Sequence, residues 1–363
     1  MVDHIVSVDA GNGGTNAVLL NPNGSYKYHY EPSVRAMATG NSLDIDHGLL
    51  LQYNYVDWYG NRYITGDDVL RVTKRGLERH TGVNRYGEEF HRFLVALALA
   101  KLGIKKGSVD LVLFAPPGLY NEARQKILNG FTGQNGQIQI SISGDKKPRS
   151  WEYNTITMLP EGIGAAACFL YDEQGAPAHS DTFDGEVVIL DIGAFTLDAL
   201  KMVDGGFNVE DLEEATWENA GINTHIREPL LRKIRKQGDD FSVVTVDDVD
   251  AVLRRGLESN DYSLTVAGYQ INLGGLAENY FERYADWIAN NICDGVFNGF
   301  RGIKSVILAG GGAVMVGDKL RELYPEKILN PKKYAHVRKV HPVYMNAVGG
   351  LRFALAMQQE TVG

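Results

Sequence analysis

The sequence predicts an α/β protein of two related domains, and three stretches carry that prediction. In the first, Ile5-Val6-Ser7-Val8 runs into Asp9, the turn Ala10-Gly11-Asn12-Gly13-Gly14-Thr15-Asn16 and an apolar return, Ala17-Val18-Leu19-Leu20. In the second, Val187-Val188-Ile189-Leu190 runs into Asp191, the turn Ile192-Gly193-Ala194-Phe195-Thr196 and the return Leu197-Asp198-Ala199-Leu200. In the third, Ser305-Val306-Ile307-Leu308-Ala309 stops at Gly310-Gly311-Gly312, ahead of a helical pattern. A continuous apolar run bounded by turn residues reads as a buried strand, and the apolar return as its hairpin partner. With 363 residues the chain exceeds what one hydrophobic core usually serves, so the repeated plan reads as two domains.

The turns themselves suggest chemistry. Carboxylates, a hydroxyl and backbone N–H groups at one bend are what a magnesium-bound polyphosphate needs: hard oxygens for the ion and N–H donors for the anion. Asp9, Thr15, Asp191, Thr196 and Asp198 are therefore candidates, with the Gly11-Asn12-Gly13-Gly14 and Gly193-Ala194-Phe195 backbone. Glycine permits positive φ and close approach of a ligand. The three glycines at 310–312 leave room for a base or ribose against backbone. Each bend alone reads equally well as an ordinary hairpin with an acidic tip. Three in this order favour a nucleotide site.

These residues also carry a resemblance. Asp9-x-Gly11, Asp191-x-Gly193-x-x-Thr196-x-Asp198 and Gly310-Gly311-Gly312 resemble the phosphate-one, phosphate-two and adenosine motifs of the actin, chaperone and sugar-kinase ATPase superfamily. Met158-Leu159-Pro160-Glu161-Gly162-Ile163-Gly164-Ala165-Ala166 resembles the connecting helix of its prokaryotic actin branch. Within that branch the chain is most similar to the ParM-type plasmid-segregating actins and their archaeal relatives, from Asp9 to Gly349. The resemblance implies the actin-like ATPase fold: two related α/β domains, each with an outer subdomain, and the nucleotide in the interdomain cleft. It implies a first domain of residues 1–165 with 345–363 (outer subdomain about 31–75) and a second of residues 166–344 (outer subdomain about 235–270). It further implies ATP, with GTP as the alternative, and Mg²⁺ held by Asp9 and Asp191 through water. Self-association into filaments and a DNA-binding adaptor protein are the implied partners. Many relatives carry a lysine where this chain has Asn16, whose amide donates hydrogen bonds but brings no charge.

Composition narrows the alternatives. At 44% hydrophobic and 22% charged it is that of an ordinary soluble globular protein. No apolar run reaches the length of a membrane span, and the nearest, residues 93–100, lies between His91-Arg92 and Lys101. The chain enters a strand at once, with no basic lead or cleavage site, so a cytoplasmic protein is expected. Cys168 and Cys293 sit in apolar helical contexts and read as buried reduced thiols. No two histidines stand at zinc-ligand spacing, so no structural metal is expected. A net charge of −9 argues against a direct, sequence-independent grip on DNA. The basic run Arg232-Lys233-Ile234-Arg235-Lys236 reads as a charged helix face.

In chain order, Asn21-Pro22-Asn23-Gly24 is a turn, and Tyr26, Tyr28 and Tyr30 alternate as in a strand that Glu31-Pro32-Ser33 breaks. Residues 49–69 are rich in aromatics, with Gly60-Asn61 as a hairpin turn. Packing on one face is the favoured reading there; exposed aromatics contacting a neighbouring subunit are the alternative. Residues 85–103 form a helix apolar around much of its circumference. Residues 110–115 form a central strand stopped by Pro116-Pro117-Gly118, followed by a helix over 120–130 and a strand over 137–143. A strand around 155–159 ends at Pro160, where Glu161 opens a helix of small residues. A carboxylate there is favoured by the helix dipole, so capping is one reading. By resemblance Glu161 instead orients or deprotonates the attacking water, a role that phosphoryl transfer leaves to one well-placed acceptor. Gly221 precedes a helix and lets backbone approach a nucleotide sugar, or simply makes a turn. Residues 247–256 and 276–297 are helices, and Asn346-Ala347-Val348-Gly349-Gly350 opens a last one over 351–357.

Two functions fit this reading. The first is a filament-forming ATPase that moves plasmid DNA through an adaptor. The second is a small-molecule kinase of the same superfamily, with Glu161 or a nearby aspartate as base. Chain length and the 160–166 segment favour the first. A chaperone is set aside because no substrate-binding domain follows Gly363.

Overall fold

The computed structural model describes residues 2–38, 53–72, 76–178 and 180–362. Part of the expected 31–75 subdomain, and the start of the aromatic-rich stretch at 49–52, lie outside the described residues. The chain divides into two compact units, one of Met1–Ala115, Leu119–Pro160 and Phe353–Gly363, the other of Pro116–Gly118 and Glu161–Arg352.

The first unit is built on a ten-stranded sheet. Its strands are β1 (His4–Ala10), β2 (Gly14–Leu20), β3 (Tyr26–Pro32), β4 (Arg35–Met37), β5 (Tyr55–Trp58), β6 (Asn61–Thr65), β7 (Leu77–Glu78), β8 (Lys106–Ala115), β9 (Gln137–Ile142) and β10 (Arg149–Pro160), in the spatial order β3-β2-β1-β8-β10-β9-β5-β6-β4-β7. β1, β8 and β10 are parallel, and their register pairs Val8 with Leu113 and Leu113 with Met158. All three strands thus end at one edge, which places Asp9 at a carboxyl end. That is where open α/β sheets hold ligands. β1 and β8 read as near-continuous apolar runs because helices cover the parallel part of the sheet. The unit's helices are α1 (Asp67–Val72), α2 (Glu89–Lys101) and α3 (Tyr120–Phe131). α2 buries Phe90, Phe93 and the whole run from Leu94 through Ala100.

The second unit centres on a four-stranded sheet, β13-β12-β11-β16, formed by β11 (Glu186–Ile192), β12 (Thr196–Val203), β13 (Thr216–Glu218) and β16 (Ile303–Ala309). Its helices are α4 (Ile163–Leu170), α5 (Glu228–Arg235), α6 (Val246–Ser259), α7 (Gly274–Ile288), α8 (Gly310–Leu323) and α9 (Met345–Val362), the last crossing into the first unit at Phe353. α6 begins at a reciprocal cap in which Thr245 and Asp248 satisfy each other's backbone N–H. It neighbours a small two-stranded sheet, β14 (Ser263–Val266) with β15 (Tyr269–Asn272).

The two hairpins repeat in register as well as in sequence. Asp9 faces Asn16 across β1–β2, and Asp191 faces Asp198 across β11–β12. Each hairpin has a parallel neighbour on its far side, β8 for β1 and β16 for β11.

Several boundaries differ from expectation. β3 runs through Glu31 to Pro32, which pairs with Gly14; an outermost strand tolerates a terminal proline because no neighbour needs its N–H. The predicted helix over 276–297 is α7 followed by a wider π turn, Ala289–Asp294. The last helix starts at Met345, several residues before the expected 351, and keeps Gly349 and Gly350 inside it. Among the aromatics, Trp58 and Tyr63 are buried against Phe93, while Tyr59 is exposed. Both cysteines are free and buried. No helix among the described residues is long and apolar enough to cross a membrane.

α4 and the start of α9 cross with backbone nearly touching backbone. A Cβ on Gly349 would fall far inside contact of the Gly164 carbonyl, and one on Gly164 would come within 2.7 Å of the Asn346 Cα. Gly349→Ala is therefore expected to cost about 1–3 kcal/mol or more, as overpacked sites do. Urea denaturation checks this, and an unchanged midpoint would mean that the helices separate at no cost.

Candidate functional site

The first bend is closed by donors from outside its hairpin. Ser33 Oγ donates to the Gly11 carbonyl at 2.7 Å and accepts from Thr15 Oγ1 at 3.2 Å, while its N–H donates to the Gly13 carbonyl at 3.3 Å. Arg85 donates to the carbonyls of Ala10 and Gly11. A planar trans peptide points its N–H opposite its C=O. With the Ala10 and Gly11 carbonyls held inward, the N–H groups of Gly11 and Asn12 face the other way, side by side. Successive N–H groups so aligned make an anion-binding concavity. Thr15 is buried and committed to Ser33, so it shapes the bend from within. Asn12 Oδ1 and Asn16 Oδ1 are buried acceptors with no hydrogen-bond partner, Asn16 directly across from Asp9. Orphaned acceptor oxygens beside a carboxylate suit the waters of a hydrated cation.

The second bend follows the same rule with different partners. The N–H groups of Gly221, Ile222 and Asn223 donate to the carbonyls of Phe195, Gly193 and Ala194 at 3.2, 3.0 and 2.8 Å. By the same planarity the N–H groups of Ala194, Phe195 and Thr196 face away from that segment. Gly221 packs directly on the bend, since a Cβ there would lie 2.6 Å from the Ala194 carbonyl carbon. Tyr284 fixes it from behind by donating to the Ala220 carbonyl at 2.6 Å. Asp198 is buried and accepts from Thr196 Oγ1 at 3.0 Å and Thr216 Oγ1 at 2.5 Å. Asp198 thus ties a hydroxyl of the bend to one of the neighbouring strand β13.

The glycines serve space more than φ. Gly11, Gly14 and Gly193 lie outside the left-handed region. A Cβ on them would press on the Gly14 carbonyl (3.1 Å), the Tyr30 ring and the Thr196 carbonyl (3.0 Å) respectively. Gly310 does need glycine for both reasons, with φ +82° and the Asp191 carboxylate where its Cβ would be. Gly312 packs on Ile192, whereas a Cβ on Gly311 would meet only Ile222 Cδ1 at 3.6 Å. Of the three, Gly311 is thus the one whose missing side chain leaves open surface.

Asp191 is held by a residue the sequence did not single out. Asn346 Nδ2 donates to Asp191 Oδ2 at 2.6 Å, and Asn346 Oδ1 accepts from the N–H groups of Gly162 and Ala165 at 3.0 and 3.3 Å. One side chain therefore caps the start of α4 and fixes the aspartate of the second bend.

Comparison with known proteins places this geometry in a family. Residues 7–164 match the family described as actin like proteins, N-terminal domain, and residues 189–322 match the archaeal actin homologue MreB-like C-terminal family. An archaeal actin homologue of Thermoplasma volcanium is 27% identical over 245 residues, 64% of this chain and 67% of that protein. One of Thermoplasma acidophilum is 25% identical over 254 residues, 66% of this chain and 69% of that protein. The crystal structure of an archaeal actin homologue in complex with ADP has a TM-score of 0.72 at 20% identity, over 99% of this chain and 100% of the other. Bacillus thuringiensis ParM with ATP gives 0.69 at 18%, over 98% and 99%.

This chain is an actin-like protein.

In this actin-like protein Glu161 directly follows β10 and precedes Gly162, the residue that caps α4 with φ +89°. The first-turn N–H of Ala165 and that of Gly162 itself are taken by Asn346. Arg85 and Ser33 also escaped the sequence reading. Arg85 was expected to start a helix, but that helix begins at Glu89, and Arg85 lies in a single tight turn buried behind the first bend. Asn16 is buried.

Burial pushes the Asp191 carboxyl up to about 6, and the Asn346 N–H draws it partly back. The folded chain therefore keeps a proton that the unfolded chain releases near the ordinary carboxylate range. Between about pH 4 and pH 6 this contribution is lost as pH rises, on the order of 3 kcal/mol in all. In metal-free, nucleotide-free protein, the wild-type urea midpoint is expected to fall relative to that of Asp191→Asn between pH 4.5 and 7. Parallel curves would mean that the carboxylate is well solvated.

Proposed function

We propose that this actin-like protein binds and hydrolyses ATP with Mg²⁺, and that its nucleotide state governs head-to-tail assembly into filaments. The observation that carries the proposal is the repeated bend: an aspartate at a strand's carboxyl end, followed by N–H groups turned outward because their carbonyls are bonded elsewhere. Two such bends suit one polyphosphate gripped from both sides. The similar structures support this, since one is an archaeal actin homologue with ADP and others are ParM with ATP or ADP. Another is a ParM described as a non-polymerisable mutant.

In this reading the backbone at Gly11-Asn12-Gly13-Gly14 and at Gly193-Ala194-Phe195-Thr196 cradles the phosphates. Gly310, Gly311 and Gly312 form the adenosine turn, with Gly311 its open surface, and Gly221 supports the second bend. Asp9 and Asp191 hold Mg²⁺ through water, with Asn12 and Asn16 accepting from its hydration shell. Magnesium keeps much of its water and is commonly held by one or two carboxylates together with the phosphates. Mg²⁺ would neutralise charge on the transferring phosphoryl group. Glu161 accepts a proton from the attacking water and aligns it. GTP is the alternative nucleotide. The net charge of −9 fits a DNA cargo held through an adaptor protein and not directly.

Pelleting and light scattering with and without Mg-ATP test the assembly. Polymer is expected only with nucleotide, and a monomer that phosphorylates a sugar or acid would overturn the reading. Glu161→Ala is expected to bind ATP and still assemble, with phosphate release about 100-fold slower or more. Unchanged release would remove Glu161 from its role.

A further inference from the structure

The first bend must attract a polyanion, yet its own residues bring no positive charge. Its sequence from Asp9 to Asn16 holds one carboxylate and no cation. A positive charge reaches it from 74 residues away: the guanidinium of Arg85, only 2% exposed, donates to the Ala10 and Gly11 carbonyls. Its Nε is buried without a partner, and its Cζ lies 4.8 Å from the Tyr86 ring centroid. No carboxylate pairs with it among the described residues. The charge is felt locally, because burial first and then Arg85 hold the His91 imidazole well below its usual range. An isolated buried cation is costly, and proteins keep one where an anion completes it.

We propose that Arg85 is the cation of the phosphate site. It acts as a positioning residue from behind the bend, turning the Gly11 and Asn12 N–H groups outward and adding positive potential for the ligand's phosphates. Carbonyls bonded to a guanidinium are polarised along the same direction, so the charge is relayed through the peptide groups. Arg85 thereby takes over from a different element the charge that residue 16 does not supply. The inference rests on the nucleotide reading above. It makes phosphate charge, and not the nucleoside, the part of the ligand that Arg85 recognises.

The test compares binding of ATP and of adenosine by calorimetry, with the melting temperature followed in parallel. R85Q keeps a donor for the carbonyls and removes the charge. It is expected to weaken ATP about 10- to 100-fold, as loss of a charge-assisted contact does, and to leave adenosine within about twofold. Adding N16K to R85Q is expected to restore most of the ATP affinity, because a cation again faces the phosphates. R85K, which keeps the charge, is expected to hold the ATP-to-adenosine affinity ratio within about threefold of wild type. Equal weakening of ATP and adenosine would assign Arg85 a purely structural role and overturn the proposal, as would ATP affinity unchanged in R85Q. If R85Q does not fold, R85K decides: a folded R85K that loses the ratio overturns the proposal. Wild-type protein that binds no ATP would instead remove the nucleotide reading itself.

Discussion

A buried peptide carbonyl must find a donor, and in this protein that requirement turns N–H groups outward at both acidic bends. Each of the two acidic bends has its carbonyls bonded from outside the hairpin. Ser33 and Arg85 serve the first, and the N–H groups of Gly221, Ile222 and Asn223 serve the second. Because the peptide is planar, satisfying the carbonyls on one side leaves a row of N–H groups on the other. The anion-binding character of both bends thus follows from how their backs are packed.

The same dependence reaches the helices of the second unit. Asn346 ties the Asp191 carboxylate to the start of α4, and α9, which carries Asn346, crosses α4 where Gly164 and Gly349 bring backbone against backbone. A change at the carboxylate, whether a proton or a bound cation, alters the one bond that Asn346 makes to it. It then bears on the turn containing Gly162, next to Glu161. The Asp191 carboxylate and the turn beside the proposed water-aligning residue thus share one amide.

Much of the fold was legible in the sequence, and the reason is periodicity. The strands flanking Asp9 and Asp191 are unbroken apolar runs, and register follows once each hairpin closes on itself, as the Asp9–Asn16 and Asp191–Asp198 pairs show. What surrounds the bends was not legible, because its donors are remote in the chain: Ser33 lies 22 residues from Gly11, Arg85 lies 74 from it, and Asn346 lies 155 from Asp191. Local pattern made Arg85 a helix start. Tertiary contacts gave Arg85 to the first bend, and the N–H groups of Gly162 and Ala165 to Asn346. Glycine was read for positive φ and for close approach, and at Gly11, Gly14 and Gly193 it is the missing Cβ that matters.

The proposal that both bends grip one triphosphate is tested most directly by a double-mutant cycle on Mg-ATP binding with Asp9→Ala and Asp191→Ala, read by calorimetry. If the bends share one ligand, the wild type binds one ATP per chain, each single variant weakens it, and the double variant loses clearly less than the two losses summed. Two bound nucleotides per chain, or losses that simply add, would show two separate sites and contradict the claim.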